Sequence, residues 1–188
     1  MAITFTRLEN EFSMSLDHAG LASKTHSSVF LSPADAQEII TDPANTPWVL
    51  AVASNLLGAT VTMDAGVETV TAIHNVPFPK VWGPSTRGIQ VVQYTVFYSV
   101  GVATLTSAVF TMDKVTLPAA TASAPTGASV PMTGTELLTV ADHLLTRVVT
   151  TPEVLDGLSE AYNITLAWEM KNTGTLTYYG TRVKFELV

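Results

Sequence analysis

The sequence predicts an all-β fold: a single antiparallel β-sandwich, jelly-roll-like, with one short helix and an N-terminal arm. Three observations point there. Threonine is the commonest residue and valine the second; both are β-branched and suit a pleated, half-buried surface. Long stretches alternate apolar and polar residues with period two. Gly, Pro, Asn and Asp break those stretches at short intervals, as turns do.

Residues 1–30 hold no sustained period and are expected to form an arm or extension, leaving 31–188 as the sandwich domain. Ser32-Pro33-Ala34-Asp35 is a helix start, with serine at the N-cap and proline in the first helical position. It predicts a short helix over 33–40, closed before Pro43. Residues 59–63 and 67–73 alternate around Asp64-Ala65-Gly66 and predict a hairpin. Pro77 and Pro79 keep the next segment out of a central strand.

Residues 89–102 predict a long strand with Val92, Tyr94, Val96, Tyr98, Val100 and Val102 on one face. In residues 103–117, Leu105, Val109, Val115 and Leu117 share one parity while Phe110 and Met112 take the other. Either a bulge falls near 107–110 or both faces are covered. Residues 118–131 are mostly Ala, Thr, Ser, Pro and Gly, and predict an extended surface loop. Residues 136–149 fit helical spacing in part, but Arg147-Val148-Val149-Thr150-Thr151 favours a strand over 143–151.

The clearest hairpin is at the C-terminal end. Ile164, Leu166, Trp168 and Met170 share a face; Asn172-Thr173-Gly174 supplies a turn in which glycine can take a positive φ; Val183, Phe185 and Leu187 face inward. Arg182, Lys184 and Glu186 are expected to face out. The whole gives roughly seven to nine strands with short turns, a pattern that suits a sandwich or jelly roll.

Composition narrows the function. The chain has 188 residues and no cysteine, so thiol catalysis, zinc ribbons and disulfide frameworks are excluded. Only 13% of residues are charged, about half of the usual ~25%. The hydrophobic share is 47% and the mean hydropathy +0.31. No run approaches the ~20 apolar residues that span a bilayer as a helix. Residues 1–7 show no basic region followed by an apolar run, so a signal peptide is not expected. An apolar, weakly charged, soluble chain is expected to cover part of its surface with partners. The net charge is −7 and Lys and Arg are scattered. Nucleic-acid binding needs grouped cations, so neither direct nucleic-acid binding nor adhesion to an anionic membrane is expected.

The sequence offers little chemistry. His18, His26, His74 and His143 stand in no metal-ligand spacing, and no G-x-S-x-G elbow, P-loop or dinucleotide fingerprint is present. Asp142-His143 are neighbours on an expected strand and so point to opposite faces. Asn163-Ile164-Thr165 matches a glycosylation acceptor but sits inside an expected strand. No enzyme activity, cofactor or metal is expected. The candidate contact residues for a glycan or partner are Trp82, in an expected loop, and Tyr178 and Tyr179, one ring on each side of a sheet.

Three pieces together carry a resemblance: Gly88-Ile89-Gln90-Val91-Val92-Gln93-Tyr94-Thr95-Val96-Phe97-Tyr98 running on to Met112-Asp113-Lys114-Val115-Thr116-Leu117; Val130-Pro131-Met132-Thr133-Gly134-Thr135 with Asp142-His143-Leu144-Leu145; and Ala161-Tyr162 through Tyr178-Tyr179-Gly180 to the last strand. Their order resembles small β-rich virion structural proteins of tailed bacteriophages, over residues 85–188. The resemblance implies a jelly-roll-like sandwich that assembles, as a homotrimer, on a particle made in the host cytoplasm. The resulting expectation is a capsid decoration (cement) protein that binds the major capsid protein and stabilises the shell by interface burial. The alternative is a tail fibre or head-spike component that binds host-surface glycans. The capsid surface is the expected location ahead of the tail.

Overall fold

The computed structural model describes residues 3–7, 12–16, 26–40, 48–53, 56–63, 68–77, 89–116, 118, 124–154 and 160–187. In chain order the strands are β1 (Ile3–Arg7), β2 (Phe12–Leu16), β3 (His26–Leu31), β4 (Gln37–Ile40), β5 (Val49–Ala53), β6 (Leu56–Met63), β7 (Glu68–Val76), β8 (Ile89–Gly101), β9 (Leu105–Thr116), β10 (Thr126–Ser129), β11 (Met132–Thr133), β12 (Ala141–Val149), β13 (Glu160–Met170) and β14 (Gly174–Leu187). One sheet runs β10-β9-β13-β7-β4 and another β11-β12-β8-β14-β6-β5, with β3 also on β14. All pairings between these strands are antiparallel. The fold is the expected all-β sandwich, with more strands than the sequence suggests because β4, β5, β10 and β11 are too short to show a period.

The arm expected over residues 1–30 contains, where described, the separate hairpin β1–β2 and most of β3. β3 pairs with residues 181–186 of β14, while β6 pairs with residues 174–178 along the same edge.

The expected helix over 33–40 is a single 3-10 turn, Pro33–Asp35. Ser32 Oγ accepts from Ala34 N at 3.2 Å, as the start signal requires. Ala36 is already extended (φ −75°, ψ 137°). Residues Gln37–Ile40 then pair with β7 as β4. The β-branched Ile39-Ile40 gains more from a sheet than from a helix.

Two expected hairpins are sheet-to-sheet passages instead. β6 lies in the seven-stranded sheet and β7 in the five-stranded one; β13 and β14 divide the same way. Each partner buries its apolar parity, and the two buried faces meet across the core rather than side by side. Period two reveals which face is buried and is silent on which sheet a strand joins. Gly174 has no positive φ. It is required for space: a Cβ there would run into Met170 Sδ and reach Ala103 Cβ at 3.2 Å. The stretch expected as a loop over 118–131 contains an edge strand, β10, on β9. β12 accounts for the ambiguous 136–149 segment as a strand, two residues earlier than expected.

Three bulges set which side chains enter the core. In β8 the register slips at Val92, between Val91↔Phe185 and Gln93↔Lys184. Val91 is buried before the slip and Tyr94, Val96, Tyr98 and Val100 after it, which leaves Val92 half-buried rather than in the core. In β9 the extra residue is Thr106, so Leu105 joins Ala108, Phe110 and Met112 inside while Val109 turns out. In β14 it is Tyr179, after which the buried parity switches from Leu176 and Tyr178 to Thr181, Val183 and Phe185. Glu186, expected outside, is buried and accepts from Gln90 Nε2 at 3.0 Å. The Leu187 side chain lies outside the described residues.

Gly180, next to the β14 bulge, has φ +132°. A Cβ there would strike the Phe30 ring and come within 2.8 Å of Leu31 O. Positive-φ strain alone costs about 1–3 kcal/mol for a residue with a side chain. Gly180→Ala is therefore expected to destabilise the fold by at least that much and to displace β3 from β14. Urea unfolding together with amide exchange in residues 26–31 reads both effects.

Candidate functional site

The β8 residues opposite in parity to the buried tyrosines and valines are Gln93, Thr95, Phe97 and Ser99, of which Thr95 is itself buried. Phe97 is the large apolar one. Its direct cross-strand partners are Leu144 on β12 and Gly180 on β14. Beyond Gly180 comes Phe30 of β3, which faces Arg182 in register. The missing side chain at Gly180 is what lets the Phe30 ring lie over the strand.

The result is an apolar strip crossing β12, β8, β14 and β3. Four strands at ~4.8 Å spacing make it about 14 Å long. Phe30 is 53% exposed and Leu144 57%. The Phe30 and Phe97 rings lie 6.3 Å apart at 50°. The Arg182 guanidinium sits 5.7 Å from the Phe97 centroid, a cation–π contact that fixes a positive charge beside the strip. Around it the hydroxyls are paired with each other: Thr95 with Thr146 at 3.1 Å and Thr60 with Thr177 at 2.9 Å.

The sequence-derived candidates fall in three different places. Trp82 lies outside the described residues. Tyr178 is in the core, 1% exposed, with its hydroxyl 2.6 Å from His74 Nε2 and 2.7 Å from Thr181 Oγ1. Burial pushes its phenol pKa up. Solvent reaches almost none of it. Tyr179, the bulge residue, is half-buried on the other side, its ring beside Gly58. The two tyrosines do point to opposite sides of the sheet. Phe30, Phe97 and Leu144 were missed because each lies in a segment without a clear period: the arm, the mixed odd positions of β8, and the ambiguous 136–149 stretch.

Two concavities lie at opposite open sides of the sandwich. One, of about 130 Å³, is lined by Lys114, Ser129, Pro131, Thr151, Glu153 and Tyr162. Lys114 Nζ lies 2.5 Å from Glu153 and 3.4 Å from Glu160. The hydrogen bond to Glu153 raises the lysine pKa, so it stays a paired ammonium and not a base. The other, also about 130 Å³, has Trp48, Leu50, Ala36, Ala72 and Tyr178 in its walls, between the sheet edges β4 and β5. His143 Nε2 lies 2.7 Å from Thr139 O, and its neighbour Asp142 is on the outer face. Among the described residues no cluster of three or more His, Asp or Glu could hold a metal ion.

No family model matches the sequence, and no curated protein matches it. Solved structures resemble it weakly. One is the Clostridium thermocellum endo-1,4-beta-D-xylanase 10B CBM22-1–GH10 modules complexed with xylohexaose, at 14% identity over 85% of this chain and 27% of that chain, TM-score 0.42. This chain therefore spans about a quarter of that one's length. A second is the family 11 carbohydrate-binding module from Clostridium thermocellum with a beta-1,3-1,4-mixed-linked tetrasaccharide, at 8% identity over 83% and 94%, TM-score 0.38. A third is the enzymatically active domain of bacteriophage CBA120 tailspike protein 4, at 8% identity over 88% and 19%, TM-score 0.36. At such scores these likenesses carry no argument about what this chain binds.

Proposed function

We propose that this chain is a non-catalytic virion structural protein that docks on another virion protein through the outer face of its seven-stranded sheet. The finer reading is capsid decoration, with the major capsid protein as the partner. The observation that carries the docking is the Leu144–Phe97–Phe30 strip. Phe30 and Leu144, each more than half exposed, flank the part-buried Phe97, and withdrawing such apolar surface from water is favourable. The support for a particle is the resemblance carried by residues 85–188 together with the low charge of the chain.

A protein partner ranks above a sugar because of the polar groups. Sugar recognition needs hydroxyl and carboxylate partners next to a stacking ring. Here the threonine hydroxyls beside the strip pair with each other. Glycan binding is the second reading, favoured by the open Phe30 ring.

The test mixes purified chain with particles lacking it and counts bound copies per capsid protein by mass spectrometry. Phe30→Asp and Leu144→Asp are each expected to weaken binding by about thirty-fold, the effect of losing a hot-spot side chain. High-copy binding to heads, lost in both variants, supports the reading. Unchanged binding by both variants, or binding only to host glycans, sinks it.

A further inference from the structure

The edges of the two sheets are not alike. β11 has two residues, β10 is Thr-Gly-Ala-Ser, and β4 carries Glu38. Each is blunted in a way that discourages further pairing: too short, too polar or charged. β5 is Val-Leu-Ala-Val-Ala and ends the seven-stranded sheet, paired through β6 alone among the described strands. Residues 43–63 contain no charged side chain. Val52 is 70% exposed, and Val49 and Leu50 are about half exposed. Such a strand presents unpaired backbone donors and acceptors in an apolar setting, a template for one more strand.

We infer that the occupant is a second copy of this chain, joined by β5 against β5 of the copy, antiparallel about a two-fold axis through Ala51. Three features favour a copy of itself. A two-fold pairing brings the same strand in from both sides and would take any charge on it out of water twice over; β5 has none. The two-fold centre falls on Ala51, so the residue that meets its own copy across the axis is small and uncharged. On the face that carries the cleft, the same register sets Leu50 opposite Val52 of the copy, two apolar branched side chains of similar size. The seven-stranded sheet would then continue across the axis into its equivalent. β6 separates this edge from β14, and the strip crosses β14 at Gly180, beyond the residues that β6 pairs, so pairing at β5 does not use the strip.

The contact is a single strand pair, smaller than a standard interface, so association should depend on concentration. The full chain is followed by sedimentation over a wide concentration range. A monomer–dimer equilibrium is expected. Val52→Lys and Leu50→Glu are each expected to weaken it at least ten-fold, with unchanged far-UV circular dichroism because both sites are exposed. The double variant Leu50→Glu/Val52→Lys places Glu opposite Lys twice across the axis and is expected to restore association. Since the chain has no cysteine, Ala51→Cys gives a separate reading: mild oxidation should yield a disulfide-linked dimer far faster than for Val109→Cys, an exposed site on the other sheet. A monomer at every concentration overturns the inference. So does a trimer, association insensitive to Val52→Lys, failure of the double variant to restore it, or equal oxidation at 51 and 109.

Discussion

Trp168→Ala is expected to remove about 3–5 kcal/mol of folding free energy, the range for deleting a large buried aromatic. Trp168 stands on β13 of the five-stranded sheet and reaches across to the other. Its ring lies 6.0 Å from Tyr98 and 5.6 Å from Tyr178, both on the opposing sheet, and 5.2 Å from Phe110 beside it. Trp48 meets it edge-on at 6.2 Å. Tilted and T-shaped pairs add about 0.5–1.5 kcal/mol each beyond area burial. A domain of this size holds only about 5–15 kcal/mol in total, so the variant should lose roughly a fifth or more of its stability. Urea unfolding followed by far-UV circular dichroism measures it. A loss under about 1 kcal/mol would mean the two sheets are not held together through this ring.

The second large effect is on acid stability and comes from His74. This histidine on β7 is buried, its ring 5.6 Å from Tyr178 and its Nε2 within hydrogen-bond distance of the Tyr178 hydroxyl. Burial lowers its pKa from 6.5 to about 4, opposed in part by the charge of Asp35. The folded state therefore keeps His74 neutral where the unfolded chain binds a proton. At pH above 6.5 neither state is protonated and nothing is lost. As pH falls from 6.5 towards 4, the unfolded state gains the proton first and stability declines. At 1.36 kcal/mol per unit, the loss reaches about 3 kcal/mol by pH 4 and then levels off. His74→Gln removes the titration while keeping a polar side chain near Tyr178. The urea midpoint of the wild type should fall between pH 6.5 and 4 by more than that of the variant. Parallel declines in the two proteins would show that carboxylates, not His74, govern the acid limb.

Much of the interior was legible in the residue pattern. Tyr94, Val96, Tyr98 and Val100 on β8, and Ile164, Leu166, Trp168 and Met170 on β13, are all buried. Their alternation reports the core face directly, since a strand with one dry side must repeat with period two. The candidate surface was much less legible. Tyr178 was placed on one side of a sheet and Tyr179 on the other, and the structure keeps that division, but it buries Tyr178 against His74. Phe30 and Leu144 sit in segments whose pattern is too short or too mixed to read, and they fall on one strip only because β12, β8, β14 and β3 lie in that order.

By itself, the sequence determined that this chain is all β, that its long strands each have one apolar face, and which residues fill most of the core. Those properties are local: they follow from propensity and period along a single strand. Tertiary structure alone decided that β6 and β7, and β13 and β14, cross between sheets rather than pair. It also decided that single-residue bulges at Val92, Thr106 and Tyr179 reset the buried parity, and that Leu144, Phe97 and Phe30 align beside Gly180. The reason is that pairing and register depend on contacts between residues far apart in the chain, and alternation within one strand does not encode its partner.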